Sequence, residues 1–146
     1  MRLLGFDFTE ISGEKKGPIK KDYSTNTNVD ISEVVEEKTE FLKDLEVIKV
    51  SFNFLVEYLS KEKKESNLGK VSLKGHLIFS AGEQEAKDLL KSWKNNKDEK
   101  KIHPQFRIPL FNLIIRKCTP KAIDLEDSLG LPFHIPFPQV KAKDKN

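Results

Sequence analysis

From Leu45 to Leu59 the chain reads LEVIKVSFNFLVEYL. The even positions Ile48, Val50, Phe52, Phe54, Val56 and Tyr58 are all apolar, while Lys49, Ser51, Asn53 and Glu57 stand between them. Strand side chains point alternately to two faces, so this run specifies a β-strand with one buried face, a pattern no helix can satisfy. KVSLKGHLIFS repeats it, with Val71, Leu73, Leu77 and Phe79 on one face and Lys70, Ser72, Lys74 and His76 on the other. Gly75 falls on the apolar side, where it permits a close approach or a bend. The polar stretch SKEKKESNLG between the two runs is of hairpin type and makes them antiparallel neighbours.

Upstream, LLGFDFTEI alternates through Phe6 and Phe8, and TNTNVDISEVVEE through Val29, Ile31 and Val35. The lysine-rich, Gly/Pro-broken SGEKKGPIKKDYS between them reads as a long exposed crossover. The period changes at Gly82. GEQEAKDLLKSWKNN spaces Ala86, Leu89, Leu90 and Trp93 as one face of a short helix, with Glu83 and Glu85 in its first turn. In HPQFRIPLFNLIIRKC, Pro109 suits a first-turn position and predicts a helix from about Pro109 to Cys118, with Leu110, Leu113, Ile114 and Lys117 on one face. Thr119 then caps a further short helix with Pro120 first and Gly130 as its stop. Strands followed by helices give an α+β fold, a four-stranded antiparallel sheet with C-terminal helices packed on one face. Residues 1–140 read as a single domain and 141–146 as a polar tail.

Composition and motif chemistry argue against an enzyme. His76, His103 and His134 lie far apart, and one cysteine provides no thiolate cluster, so no metal site is expected. Cys118, at the end of a helix, sits at the wrong pole for a thiolate and reads as structural. SAGEQEAK lacks the spacing of a phosphate loop, and the acidic stretches VVEEKTEF and DLEDSLG read as solvated surface. No cofactor is implied. A net charge of +3 from 26 basic and 23 acidic residues is a mixed surface, which makes nucleic acid the weakest of the binding partners considered. The single cysteine suits a reducing compartment, and no apolar run approaches the ~18 residues of a membrane span, so a cytoplasmic location is expected.

Apolar material is left over. Leu45, Val47, Leu55 and Leu59 occupy the second face of the strongest strand, and GLPFHIPFPQV places Phe133, Ile135, Phe137 and Val140 among three prolines. The prolines keep that segment from becoming a helix, and in an extended chain its odd-numbered residues share one side. Such a ridge either serves a partner or folds back on its own sheet.

The order of elements, with GHLIFSAG leading into EQEAKDLLKSW, HPQFRIPLF opening LFNLIIRKC, and the proline-spaced GLPFHIPFPQV, resembles the SecB family of export chaperones. The resemblance runs from about Leu3 to Val140 in architecture, with its motifs concentrated in residues 106–140. It implies a nucleotide-independent holdase that assembles as a homotetramer, a dimer of dimers, and holds unfolded polypeptides or preproteins in apolar grooves. By position, the groove is lined by Val29, Ile31, Leu113, Ile114, Phe133, Ile135, Phe137 and Val140, with Phe52 and Phe54 left for core or dimer packing. The sequence departs from the family in its insertion TPKAIDLEDSL, in the lack of a second C-terminal helix, and in Lys49, Lys70 and Lys74 on a sheet face that is acidic in SecB. Those lysines argue against docking on the export motor SecA. A divergent SecB-like protein, including the kind paired with toxin–antitoxin systems, fits better than an orthodox export factor, and an adaptor dedicated to one partner, such as an antitoxin, is the alternative to a general holdase.

Overall fold

The computed structural model describes residues 1–19, 22–37, 45–62, 67–96 and 102–142. Four long strands, β1 (Arg2–Lys15), β2 (Tyr23–Glu37), β3 (Glu46–Ser60) and β4 (Asn67–Ala81), are followed by helices α1 (Glu83–Asn96) and α2 (Pro104–Leu129). The strands form one antiparallel sheet in the order β1-β4-β3-β2. The segment after β1 therefore carries the chain from one edge of the sheet to the other, and β2, β3 and β4 follow as a meander. Parts of the expected connections, 63–66 and 97–101, and the tail from 143 lie outside the described residues.

The alternation of β3 and β4 builds the core. Ile48 faces Phe79, Val50 faces Leu77, Phe54 faces Leu73 and Val56 faces Val71 across the ladder, and all eight are buried. Gly75 lies opposite Phe52. A Cβ there would run into the Phe52 ring at 2.8 Å and into the Asp7 carbonyl, so only glycine lets the ring lie flat on the strand. Phe6 stacks on the same ring, with centroids 5.6 Å apart and planes 14° apart.

Irregularities on the edge strands shift their patterns. The register of β2 breaks between Ile31 and Glu33, so the residue that reaches the core beyond the break is Val34, opposite Val50, and not Val35, which pairs with Lys49 on the far face. A bulge inserts one residue and so reverses which side chains face inward.

The largest correction concerns α2. One helix of 26 residues spans what the sequence divides in two, and Pro109 and Pro120 both lie inside it. The helix starts earlier, with Pro104 at its first turn and His103 as N-cap, whose Nδ1 accepts the N–H of Gln105 at 3.2 Å. Thr119 is not a cap. Its hydroxyl donates to the carbonyl of Ile115 at 2.7 Å, a bond of the helix interior. Packing offsets the loss of two helix hydrogen bonds, because Phe106, Leu110, Ile114, Cys118, Ala122 and Glu126 form a continuous buried stripe. These residues are spaced by four where the helix repeats every 3.6, so the stripe turns by about 40° at each step. Leu110 thus lies beside Leu3 and Phe79 on the β1/β4 side, while Glu126 reaches Tyr58 on β3.

Gly130 ends α2 as expected, in the left-handed conformation at φ 68°. Its N–H bonds to the Asp127 carbonyl, and the N–H of Leu131 reaches back to the Glu126 carbonyl at 2.8 Å. This pair of bonds satisfies the helix end and aims the following segment back across the sheet.

Candidate functional site

The segment after Gly130 crosses the helix-bearing face of the sheet from β4 to β3. Leu131 is buried and lies over Gly69 of β4, where an added Cβ would meet its Cδ2 at 2.9 Å. Pro132 offers its carbonyl to the Tyr58 hydroxyl on β3. The His134 ring meets Phe54 edge-on, with centroids 5.9 Å apart. Phe54 pairs with Val29 of β2, so His134 lies one strand in from the edge.

A buried polar cluster pins it there. Glu126, fully enclosed, accepts the backbone N–H of His134 at 3.1 Å and faces the His134 Nδ1 at 2.7 Å. Its other oxygen accepts the Tyr58 hydroxyl at 3.1 Å. Burial, followed by the nearby Glu126 charge, raises the Tyr58 phenol above its ordinary range and keeps it a donor. One expectation from sequence fails at this point: Glu126 belongs to the stretch DLEDSLG, read as solvated surface, yet it is fully enclosed. The signal was available only in part: Glu126 falls on the four-residue stripe of α2, but that stripe is hidden once the helix is split at Thr119.

Above this anchor the apolar side chains stay in solvent. Phe133, Ile135 and Phe137 are 39%, 37% and 48% exposed, and Val140 is wholly exposed. The segment is not the extended ridge that its prolines suggest. The Phe133 and Phe137 rings lie 4.7 Å apart, whereas four residues of extended chain span about 13 Å, so the chain bends at 134–135. The bend gathers the two rings into one pad.

The remaining expected groove residues do not line one continuous surface. Ile31 and Ile114 are enclosed in the core, and Val29 is half-buried beside Phe54. Leu113 lines a separate cleft of about 110 Å³ with Met1, Leu3, Phe79, Pro109 and Leu110. Phe79 pairs with Ile48, six residues along β3 from Phe54, which puts this cleft ~20 Å from the pad. Phe52 and Phe54 are fully enclosed core.

The open face of the sheet is acidic. Asp7, Glu10 and Glu14 on β1 and Asp30, Glu33 and Glu37 on β2 flank Lys49, Lys70, Lys74 and Glu57 on the central strands. Each lysine is paired, Lys49 to Glu37 at 3.7 Å, Lys70 to Glu14 at 3.9 Å and Lys74 to Glu10 at 3.5 Å. The lysines expected as the dominant charge of this face are thus outnumbered by its carboxylates. His76 lies on the same face, bonded to the Ser51 hydroxyl at 3.0 Å. Among the described residues no cluster of histidine, cysteine and carboxylate is arranged to hold a metal, and no helix is long and apolar enough to cross a membrane. Cys118 is enclosed, and burial pushes its thiol up to about 12.

A four-stranded antiparallel sheet whose first strand pairs with the fourth, with two C-terminal helices on one face, is the SecB-like α+β fold. Among solved structures, the chain is similar to the Mycobacterium tuberculosis Rv1957 SecB-like chaperone in complex with a ChAD peptide from the Rv1956 HigA1 antitoxin. The TM-score is 0.51 over 97% of this chain and 92% of that one, at 9% identity. The likeness is one of fold. No family model matches the sequence, and neither does any curated protein.

Proposed function

We propose that the chain is a nucleotide-independent, SecB-like chaperone that holds non-native polypeptide segments on the pad of Phe133, Ile135 and Phe137, with Val140 and Val29 extending it. The observation that carries this reading is the pairing of exposed aromatics with a buried anchor. Exposed apolar side chains on a loose tail are common, but here the backbone beneath them is fixed to α2 and β3. Such a surface binds varied apolar segments weakly at each contact, and assembly into a homotetramer in the cytoplasm multiplies the contacts. Leu113 and its cleft form a second, smaller apolar site on the same protomer.

The alternative, an adaptor dedicated to one partner, draws support from the similar structure, which is that of a chaperone holding a peptide from a single antitoxin. Light scattering of a chemically denatured, aggregating client tests both. A holdase suppresses aggregation of unrelated clients, and replacing Phe133, Ile135 and Phe137 by serine abolishes suppression while leaving the sedimentation profile unchanged. Undiminished suppression by the serine variant removes the pad from the site. Failure of the unaltered protein with every client but one favours the adaptor.

A further inference from the structure

Glu126 is the only fully enclosed charged side chain among the described residues. It bonds to the segment after α2 at several points. Its backbone carbonyl holds the Leu131 N–H, and its carboxylate holds the His134 N–H and faces the His134 ring. The Tyr58 hydroxyl stands between this carboxylate and the Pro132 carbonyl, and the two acceptors share its one proton. A carboxylate has no donor for the free carbonyls of a helix end, which the N–H groups of Gly130 and Leu131 serve here, so it does not act as a cap. Enclosing a charge costs desolvation that an all-apolar replacement of the cluster would avoid. What the carboxylate adds is direction: bonds to both the main chain and the ring of His134 fix the bend that brings Phe133 and Phe137 together.

We infer that Glu126 is a positioning residue for client binding. By fixing the bend at His134 it presents a preformed pad, so a residue no client touches controls how long a client stays bound. The inference rests on the proposed binding of polypeptides at the pad. Ordering a loop during binding weakens the complex, and a loop already ordered avoids that loss, chiefly by slowing release.

The test compares the unaltered chain with Glu126→Gln, which keeps the volume but cannot accept at both oxygens, and with His134→Phe, which keeps the ring on Phe54 and the main-chain N–H but lacks the imidazole nitrogen. The probe is a fluorescently labelled, unstructured peptide rich in phenylalanine and leucine. For both variants, release about tenfold faster is expected, with association within about twofold. Amide exchange quickens across 133–140 and stays unchanged in β3 and β4. Unchanged release overturns the inference, as does exchange that quickens throughout the sheet, which assigns Glu126 to general stability. If Glu126→Gln does not fold, His134→Phe decides by the same two readouts. The pad-to-serine variant separates the two proposals: if it still binds the peptide, the pad itself is not the site. If it loses binding while both anchor variants release at the normal rate, only the positioning role fails.

Discussion

The two ends of α2 solve the same problem by different means. Its N-terminal half meets the sheet through aliphatic and aromatic side chains, Phe106, Leu110 and Ile114, while its C-terminal half ends the same stripe on a carboxylate bonded to Tyr58 and His134. The apolar end holds the helix to the sheet without fixing the direction of any group. The polar end fixes the direction of the segment beyond it. The exposed pad lies beside the polar end, where geometry matters, and not beside the apolar one.

That contrast can be broken by substitution. Glu126→Leu leaves the main-chain N–H and the ring of His134 without their acceptor, while the Tyr58 hydroxyl keeps the Pro132 carbonyl, and is expected to cost about 3 kcal/mol in urea unfolding. A neutral result would make the two ends equivalent. Ile114→Ala at the apolar end is expected to cost about 3 kcal/mol through lost burial and a cavity, without altering amide exchange at 133–140. Quickened exchange there would mean that the loop is fixed by packing and not by the cluster.

The smallest effect is expected at Cys118, between the two ends. Its folded-state pKa of about 12 lies above the ordinary 9.0, so the folded protein retains this proton where the unfolded chain loses it. The stability it contributes is full below pH 9 and declines as pH rises towards 12, and the raised Tyr58 phenol acts in the same direction. Urea midpoints at pH 8 and pH 10.5 should show a smaller decline for Cys118→Ala than for the unaltered chain. Equal declines would place the alkaline sensitivity elsewhere.

The sheet was legible because period-two alternation in β3 and β4 depends only on which residues are apolar. The helix-bearing face, its C-terminal helices and Gly130 as the stop follow from the same kind of signal. Legibility ended where one residue changes the bookkeeping, as at the β2 bulge that exchanges Val35 for Val34. It ended again where tertiary packing overrides local preference, as at Pro109 and Pro120, which propensity alone treats as helix boundaries. For the site, the exposed aromatics were visible as composition, but their bend and anchor were not. A glutamate eight residues from a histidine has no sequence spacing that marks it, because a helix end and a left-handed glycine bring the two together. Ile31 and Ile114 were chosen by position in a related fold, which does not distinguish a groove wall from the layer beneath it.

The strand order has a consequence for how the chain reaches this state. Among the described residues β1 pairs with β4 and no other strand, Leu3 lying opposite Phe79, so the earliest of the four strands finds its ladder partner after the other three exist. Contacts of such long sequence separation close slowly, whereas the β2-β3-β4 meander assembles through near neighbours. The meander is therefore expected to form first and β1 to dock last. During that interval Phe6 and Phe8, and the face of β4 they cover, stay open to water and to other chains. Rates of β1 docking and of aggregation should accordingly rise and fall in opposition, with Gly75, against which β1 must close, as the position that sets the balance.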